Sequence, residues 1–451
     1  MLVTRQPVLR RFWHAVMPLA LLQQGQPQPF TLLGEDIVLF LDANGQPAAL
    51  QNRCCHRTAR LSKGRCVDGT LECGYDGRTY DAAGRVIRIP QYEPERPIPA
   101  EYRTPAFRCV ARYGYAWVAL AEPIAPIPDV PEFGAPGWRT IFQFYEPWAT
   151  SPLRVPGACR ALGRARVGPV SGRRLDANAR RAGRHGEHLQ RRMRPETDPT
   201  RRAGASRGVM RRCRLLVWPA TRRRRRLAWR RDSPRRGPDP VPDRLPANSF
   251  DNAHFSFVHG ATFGVAAQPQ PSAYRFVEHE GGFYAETVIA PINPVAFQRV
   301  SGSTEAITQR HMRNAYYLPF SRRLDIEYPS GVRHVIVNCF TPIDDGKLQL
   351  CQWLFRNDRE EDCPAQLLID FDHVITREDK DILESTDPNA LVDTRRRGVE
   401  FSMDSDRPGM LIRKQLMQLL AAHGEAEVWS AAAPPLSNVE DALSAPLQIP
   451  R

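Results

Sequence analysis

Cys54-Cys55-His56-Arg57-Thr58-Ala59-Arg60-Leu61-Ser62-Lys63-Gly64, followed by Cys73-Gly74-Tyr75-Asp76-Gly77-Arg78-Thr79-Tyr80-Asp81, are the two stretches on which the reading of this chain turns. Thiol, imidazole and carboxylate side chains recur in two short segments separated by residues 57–72, the pattern of a metal centre supplied by two loops. Taken alone, the pattern admits a zinc site or incidental thiols as well. Around it, residues 1–150 read as short strands. Runs at 30–33, 37–41, 48–51, 86–89 and 116–120 are apolar or β-branched and bounded by Gly, Pro, Asn and Asp. Asp42-Ala43-Asn44-Gly45 ends in an Asn-Gly pair, a strong hairpin signal. A small all-β domain is expected.

At 451 residues the chain has room for two or three cores. No run is apolar enough to cross a bilayer. Residues 12–22 are interrupted by His14 and Pro18 and lack a small-residue cleavage site, so they are not read as a signal peptide, and a cytoplasmic protein without membrane partners is expected. Of ten cysteines only Cys54, Cys55, Cys66 and Cys73 cluster, which argues against a disulfide framework. The net charge of +14 is a local property: residues 151–250 hold 28 Arg, no Lys and 7 Asp plus Glu, a balance of +21 that leaves −7 elsewhere.

Residues 273–356 resume the strand pattern at 274–278, 283–288, 310–318, 324–328, 332–341 and 348–355, with turns at Gly281-Gly282, Pro329-Ser330-Gly331 and Asp344-Asp345-Gly346, which predicts an antiparallel meander. From Pro364 the period becomes helical: Leu367, Leu368, Phe371 and Val374, then Ile382 and Leu383, then an amphipathic stretch at 410–422. A sheet wrapped around a ligand-bearing helix is the expected layout. Residues 152–246 fit neither style. They have no Phe, Tyr or Lys, carry five consecutive arginines at 222–226, and show no periodicity, so they are expected not to form a core.

A second constellation is Asn248-Ser249-Phe250-Asp251-Asn252-Ala253-His254-Phe255-Ser256-Phe257-Val258-His259. Two His and a carboxylate on one face suit a mononuclear non-haem Fe(II) that keeps positions open for O₂ and substrate. His254 and His259 are five apart, about 140° around a regular helix, so sharing a metal requires a widened or broken turn. Asp251 is one turn before His254 and suited to hold a ring nitrogen, and Asn248 is one turn earlier; both are read as catalytic-site residues.

With these residues on the page, the chain resembles the oxygenase component of the Rieske non-haem iron oxygenases, in the vanillate O-demethylase and phthalate oxygenase branch. The resemblance covers residues 8–150 and 248 to about 425. It implies an α+β architecture, with an N-terminal all-β Rieske domain (1–150) and a C-terminal helix-grip antiparallel-sheet catalytic domain (248–451). The resemblance leaves unmatched the Arg-rich segment between them (151–247), which composition leads us to expect is unstructured. The usual Rieske spacing is Cys-x-His and Cys-x-x-His, two thiolates on one iron and two imidazoles on the other. Carried over, Cys54, His56 and Cys73 bind a [2Fe–2S] cluster, with Asp76 at the second His position. The spacing Asn-x-x-Asp-x-x-His-x-x-x-x-His is met at every defined place by Asn248, Asp251, His254 and His259. Arg377-Glu378-Asp379-Lys380 resembles the segment that supplies the third iron ligand, which points to Asp379, with Asp372 and Asp381 in reserve.

The resemblance further implies a homotrimer in which one subunit's cluster feeds the next subunit's iron. Electrons come from a reductase or ferredoxin, and O₂ hydroxylates or oxidatively demethylates an aromatic or related small organic substrate. In that assembly Asp76 would face Asp251 of the partner subunit, and two carboxylates about 4 Å apart at an effective dielectric near 20 repel by roughly 4 kcal/mol unless one protonates. Two alternatives remain at this level. One is a degenerate, inactive family member in which Asp76 and an inserted or out-of-frame 152–246 segment spoil the centre. The other is an Arg-rich nucleic-acid-binding protein, whose binding would depend steeply on salt.

Overall fold

The computed structural model describes residues 1–149, 250–260, 262–386 and 402–428. The Arg-rich segment, the insertion or frameshift expected there, and Asn248 all lie outside the described residues. In the N-terminal part, β1 (His14–Pro18) leads through the single turn α1 (Leu19–Leu22) into β2 (Gln28–Leu32), β3 (Glu35–Leu41) and β4 (Pro47–Gln51). β5 (Arg65–Val67), β6 (Thr70–Glu72), β7 (Thr79–Tyr80) and β8 (Val86–Arg88) form a separate four-stranded sheet. β9 (Ala106–Arg112) and β10 (Tyr115–Ala119) complete a six-stranded sheet of order β1-β10-β9-β4-β3-β2.

The predicted Asn-Gly hairpin joins β3 to β4: Asp42 Oδ1 accepts from the Asn44 and Gln46 amides at 2.8 Å each, and Gly45 takes a φ of +73°. Every strand expected in residues 1–150 appears within two residues of its bounds, because each is an apolar or β-branched run closed by turn residues.

The second sheet holds seven antiparallel strands in the order β11-β17-β16-β15-β14-β13-β12. They are β11 (Arg139–Phe144), β12 (Arg275–His279), β13 (Gly282–Ile289), β14 (Arg310–Tyr317), β15 (Ser321–Glu327), β16 (Arg333–Asp344) and β17 (Lys347–Arg356). The meander from β12 to β17 matches the sequence reading. β11 does not: residues 139–144 lie within the stretch read as the first domain, yet they pair along β17 from Arg139↔Arg356 to Phe144↔Cys351. The reason is packing. Ile141 inserts into the apolar cluster beneath the helix of the second domain, and Phe142 joins the cluster around Trp353.

α2 (Phe255–Val258) precedes β12, α3 (Gln298–Ser301) lies between β13 and β14, and α4 (Ala365–Glu384) and α5 (Arg407–Ala422) follow β17. α4 is one continuous helix. Leu368, Ile369, Phe371 and Leu383 are buried, whereas Val374 and Ile382, which the period placed with them, are 41% and 39% exposed. α4 lies on the sheet face bearing Ile336 and Leu354, and α5 covers β13, where Gln415 Nε2 donates to Gly282 O at 2.6 Å. The N-terminal residues are clamped to the segment after α5: Leu2 N donates to Val428 O at 2.5 Å, and the Met1 amine lies 3.2 Å from Glu427. β1 docks on the second sheet through Thr341 Oγ1 and Cys351 Sγ, both donating to Ala15 O, at 2.5 and 3.2 Å.

Candidate active site

Two loops carry the first set of donors, one leading from β4 of the six-stranded sheet into β5 and the other joining β6 to β7 within the four-stranded sheet. Each closes on itself: Thr58 N donates to Cys54 O, Cys54 N to Ala59 O, Gly77 N to Cys73 O and Cys73 N to Arg78 O, all at 2.8–3.1 Å. The loops press together where only glycine fits. A Cβ on Gly64 would lie 1.9 Å from Glu72 O, and one on Gly74 would lie 2.6 Å from Lys63 O.

This brings Cys54 Sγ, Cys73 Sγ and a carboxylate oxygen of Asp76 within 4.8 Å of one another. His56 Nδ1 is 2.8 Å from Asp76 Oδ2, so all four sequence-selected residues converge. Both thiols are buried and take donors: Tyr80 Oη reaches Cys54 Sγ at 3.1 Å, and Tyr75 N reaches Cys73 Sγ at 3.5 Å. Burial pushes the Cys73 thiol up to about 12. The set fits a [2Fe–2S] cluster, with two sulfurs for one iron and a nitrogen and an oxygen for the other. Arg78 went unnoticed in the sequence; its Nε lies 3.1 Å from Asp76 Oδ2 and balances the carboxylate. Its signal was a cation two residues beyond the substituted ligand.

The second set is built around α2. Its single turn separates His254 from His259, which sits at its C-terminal cap with φ −94° and ψ 27°, so the helix is interrupted where a shared metal requires it. The chain then folds back on the cap: Gly264 N donates to His259 O at 2.8 Å, and a Cβ at Gly264 would meet Phe255 O at 2.1 Å. His254 Nε2 and His259 Nε2 are 3.2 Å apart, and Asp379 Oδ1 on α4 lies 3.6 and 3.5 Å from them. A point about 2 Å from all three atoms exists, the length of a metal–imidazole or metal–carboxylate bond.

The other ring nitrogens are held from behind. His259 Nδ1 is 2.8 Å from Glu378 Oε2, which also accepts from Thr262 Oγ1 at 3.3 Å. His254 Nδ1 faces Asp251 Oδ2 at 3.6 Å, and both atoms are buried. Asp251 lies in the loop before α2 rather than on a shared helical face, and its Oδ1 accepts from Ala253 N at 2.7 Å. Burial pushes the His259 imidazole down, toward the neutral form that binds metals.

Neither reserve residue is at the metal point, although Asp372 lines the same cavity. Asp381 is exposed. Asp372 takes hydrogen bonds from Tyr145 Oη, Gln143 Nε2 (3.1 Å) and Thr376 Oγ1 (3.3 Å), and its burial raises its carboxyl. Glu378 was quoted in the sequence only as the neighbour of Asp379. On a helix, adjacent residues point about 100° apart, so one carboxylate can reach the metal point while the next backs a ring.

Above the three donors opens a cavity of about 120 Å³ between α4 and the sheet. Alternate residues of β14, β15 and β16 line it; most are apolar, including Met312, Leu324, Ile326 and Ile336. Arg310, Arg322, His334 and Asn338 interrupt that apolar face and were not picked out in the sequence. Their signal was a polar side chain at a strand position whose period points inward.

A family model for the Rieske [2Fe-2S] domain matches residues 12–111, and one for the vanillate O-demethylase oxygenase C-terminal domain matches residues 242–422. The putative toluene-4-sulfonate monooxygenase system iron-sulfur subunit TsaM2 of Comamonas testosteroni is 39% identical over 119 residues, 26% of this chain and 34% of that protein. This chain thus matches about a third of that relative's length. Methylxanthine N1-demethylase NdmA of Pseudomonas putida is 24% identical over 427 residues, covering 92% of this chain and 91% of that protein. The fold is shared with the structure of NdmA with caffeine (TM-score 0.61, 20% identity, 92% of each chain) and with that of dicamba monooxygenase bound to 3,6-dichlorosalicylic acid (TM-score 0.61, 16% identity, 92% of this chain and 98% of that one). With a Rieske domain and a vanillate O-demethylase-type catalytic domain in one chain, the protein belongs to the Rieske non-haem iron oxygenases.

Proposed function

We propose that the chain is the oxygenase component of a system that hydroxylates or oxidatively demethylates an aromatic or related organic substrate with O₂. One oxygen atom enters a C–H bond and the other leaves as water, with two electrons and two protons supplied through an NAD(P)H-linked reductase or ferredoxin. In a demethylation the hydroxylated methyl group departs as formaldehyde. The observation that carries the reading is the convergence of His254 Nε2, His259 Nε2 and Asp379 Oδ1 at the floor of a buried cavity.

Cys54, His56, Cys73 and Asp76 would hold the [2Fe–2S] cluster, and His254, His259 and Asp379 the ferrous ion. The cluster supplies one-electron transfer, and the ferrous ion supplies open positions for O₂ activation. Glu378 fixes the His259 ring through Nδ1, and Asp251 faces the corresponding atom of His254. The apolar walls keep bulk water from the reacting carbon. A homotrimer, as the resemblance implies, would turn the exposed tip of the Rieske domain, where Tyr75 is 71% exposed beside Asp76, toward the partner subunit, the path by which its cluster would pass electrons to the next iron. Asn248 is assigned to the same path by its motif position. Among the described residues no helix is long and apolar enough to cross a membrane.

The test is metal analysis of the purified protein and of a His254→Ala, His259→Ala double variant. Loss of mononuclear iron with retention of cluster absorbance supports the reading; undiminished iron in the variant refutes it.

A further inference from the structure

Beside the cavity lies a buried hydrogen-bond network that the three metal donors do not use. Gln143 on β11 and Gln352 on β17 are cross-strand partners, and both reach Asp372 on α4. Tyr145, just beyond β11, turns its hydroxyl into the same cluster and donates to Asp372 Oδ2. With Gln143 Nε2 at 3.1 Å, Thr376 Oγ1 at 3.3 Å and Gln352 Nε2 at 3.5 Å, four donors and no Lys or Arg surround the carboxyl, the environment of a carboxylate rather than of an acid. A buried carboxylate without a cation is costly, and an apolar contact would tie α4 to the sheet at lower cost.

A phenol bonded to a carboxylate loses an electron readily, because the proton that its radical must shed has a base to go to. Burial and the nearby Asp372 charge hold the Tyr145 phenol well above its ordinary value, so it stays protonated until it is oxidised. Burial also raises the Asp372 carboxyl, which makes it the stronger base. Tyr328, in the cavity wall, makes no hydroxyl hydrogen bond among the described residues. Elsewhere in this domain Tyr274 and Tyr316 donate to amide oxygens, of Asn252 and of the Pro319 main chain. Asp372 and Asp379 are two turns apart on α4, about 10 Å along its axis, a separation that an electron crosses by tunnelling and a proton does not. Behind Tyr145 the rings continue. Tyr115 Oη donates to Gln143 O at 2.8 Å, the Tyr115 ring lies 4.4 Å from that of Trp353, and Trp353 stacks on Trp117 of β10 at 5.9 Å. Tyr115 has only that main-chain oxygen to receive its proton, so its ring passes an electron on rather than holding a radical.

We propose that Tyr145 is a redox-active residue that, with Asp372 as its proton acceptor, drains oxidising equivalents from the cavity when O₂ is reduced there without a substrate C–H bond in place. One electron leaves the Tyr145 ring and reduces by one step an oxidant derived from O₂ or hydrogen peroxide. The Oη proton moves to Asp372 Oδ2, leaving a neutral phenoxyl radical and a neutral carboxylic acid. An electron arriving along Trp117, Trp353 and Tyr115 from the donor that serves the cluster, with the proton returned by Asp372, restores the pair. The proposal rests on the reading of this cavity as the site of O₂ reduction, and the relay spares His254 and His259 from oxidation.

Electron paramagnetic resonance tests it on the full-length chain, loaded with oxidised cluster and ferrous iron, mixed with hydrogen peroxide in the absence of substrate and frozen. The wild type should show a tyrosyl radical, identified by the collapse of its hyperfine splitting when ring-deuterated tyrosine is incorporated. Tyr145→Phe should lose this signal and show more oxidation of His254 and His259 by peptide mass spectrometry. Asp372→Asn, which keeps an acceptor beside the phenol but cannot take the proton, should lose the signal too. Together with the labelled wild type it decides the matter if Tyr145→Phe does not fold. Iron content of the same samples separates the two readings. Bound iron without a tyrosyl radical in the wild type, or a radical that survives in Tyr145→Phe or in Asp372→Asn, overturns the proposal alone. Absence of bound iron overturns the oxygenase reading and the proposal with it.

Discussion

Asp76 stands where the resemblance calls for a histidine, and its surroundings decide what that does. Its carboxylate meets His56 Nδ1 at 2.8 Å and Arg78 Nε at 3.1 Å, so the extra negative charge is partly balanced inside the chain. An anionic ligand in place of a neutral one still stabilises the oxidised cluster. We expect a reduction potential below the usual Rieske range of about −150 to +300 mV, raised by Asp76→His and lowered further by Arg78→Gln. An EPR-monitored redox titration measures all three; a wild-type potential within that range at full cluster content would show that Asp76 is not a ligand.

At the scale of elements, α4 does two jobs with adjacent carboxylates, Asp379 at the metal point and Glu378 behind His259. Glu378→Ala frees the ring, and iron affinity should fall about 10–100-fold in a chelator competition while the cluster spectrum is retained. Unchanged affinity would mean that the turn of α2 and the Gly264 reversal orient His259 unaided.

β1 carries a separate pH dependence. His14 is buried, with Nε2 3.0 Å from Leu9 O, and burial pushes it down to about 4. Between roughly pH 6.5 and 4 the unfolded chain holds a proton there that the folded chain does not, so this group's contribution is complete above 6.5 and is lost as pH falls toward 4. The loss is of order 3 kcal/mol. His14→Phe should flatten that part of the acid limb in urea unfolding followed as a function of pH; an identical limb would show that other groups dominate it.

For the whole molecule, the described residues pack around cores that join the N-terminal residues to α5: Met1, Val3 and Leu9 share a cluster with Leu411, Leu416 and Leu420. Residues 152–246 are predicted from composition to add nothing to such cores, while their window carries +21. Deleting residues 155–246 should therefore raise soluble yield or the thermal midpoint. A deletion variant that unfolds, or native-state proteolysis that spares the segment, would show it to be part of the fold.

The sequence alone determined five strands of the N-terminal part, the meander from β12 to β17, the two donor loops and the His254–His259 pair, because turn chemistry, apolar runs and ligand spacing are local properties that survive without knowledge of the fold. β1, β5, β6, β7 and β9 are too short, too polar or too weakly punctuated to be read that way. It also placed Asp379 ahead of Asp372 and Asp381, through a motif only a few residues long. What it left undecided depended on contacts across tens to hundreds of positions. β11 left the domain it seemed to belong to because β17 and the Trp353 cluster offered it an edge to pair with and a core to fill. Arg78, Glu378 and Arg310 acquired meaning only once folding set them beside Asp76, His259 and the cavity. A charged side chain reads the same in sequence whether it meets water, a counter-ion or an empty apolar wall, and only the tertiary structure says which.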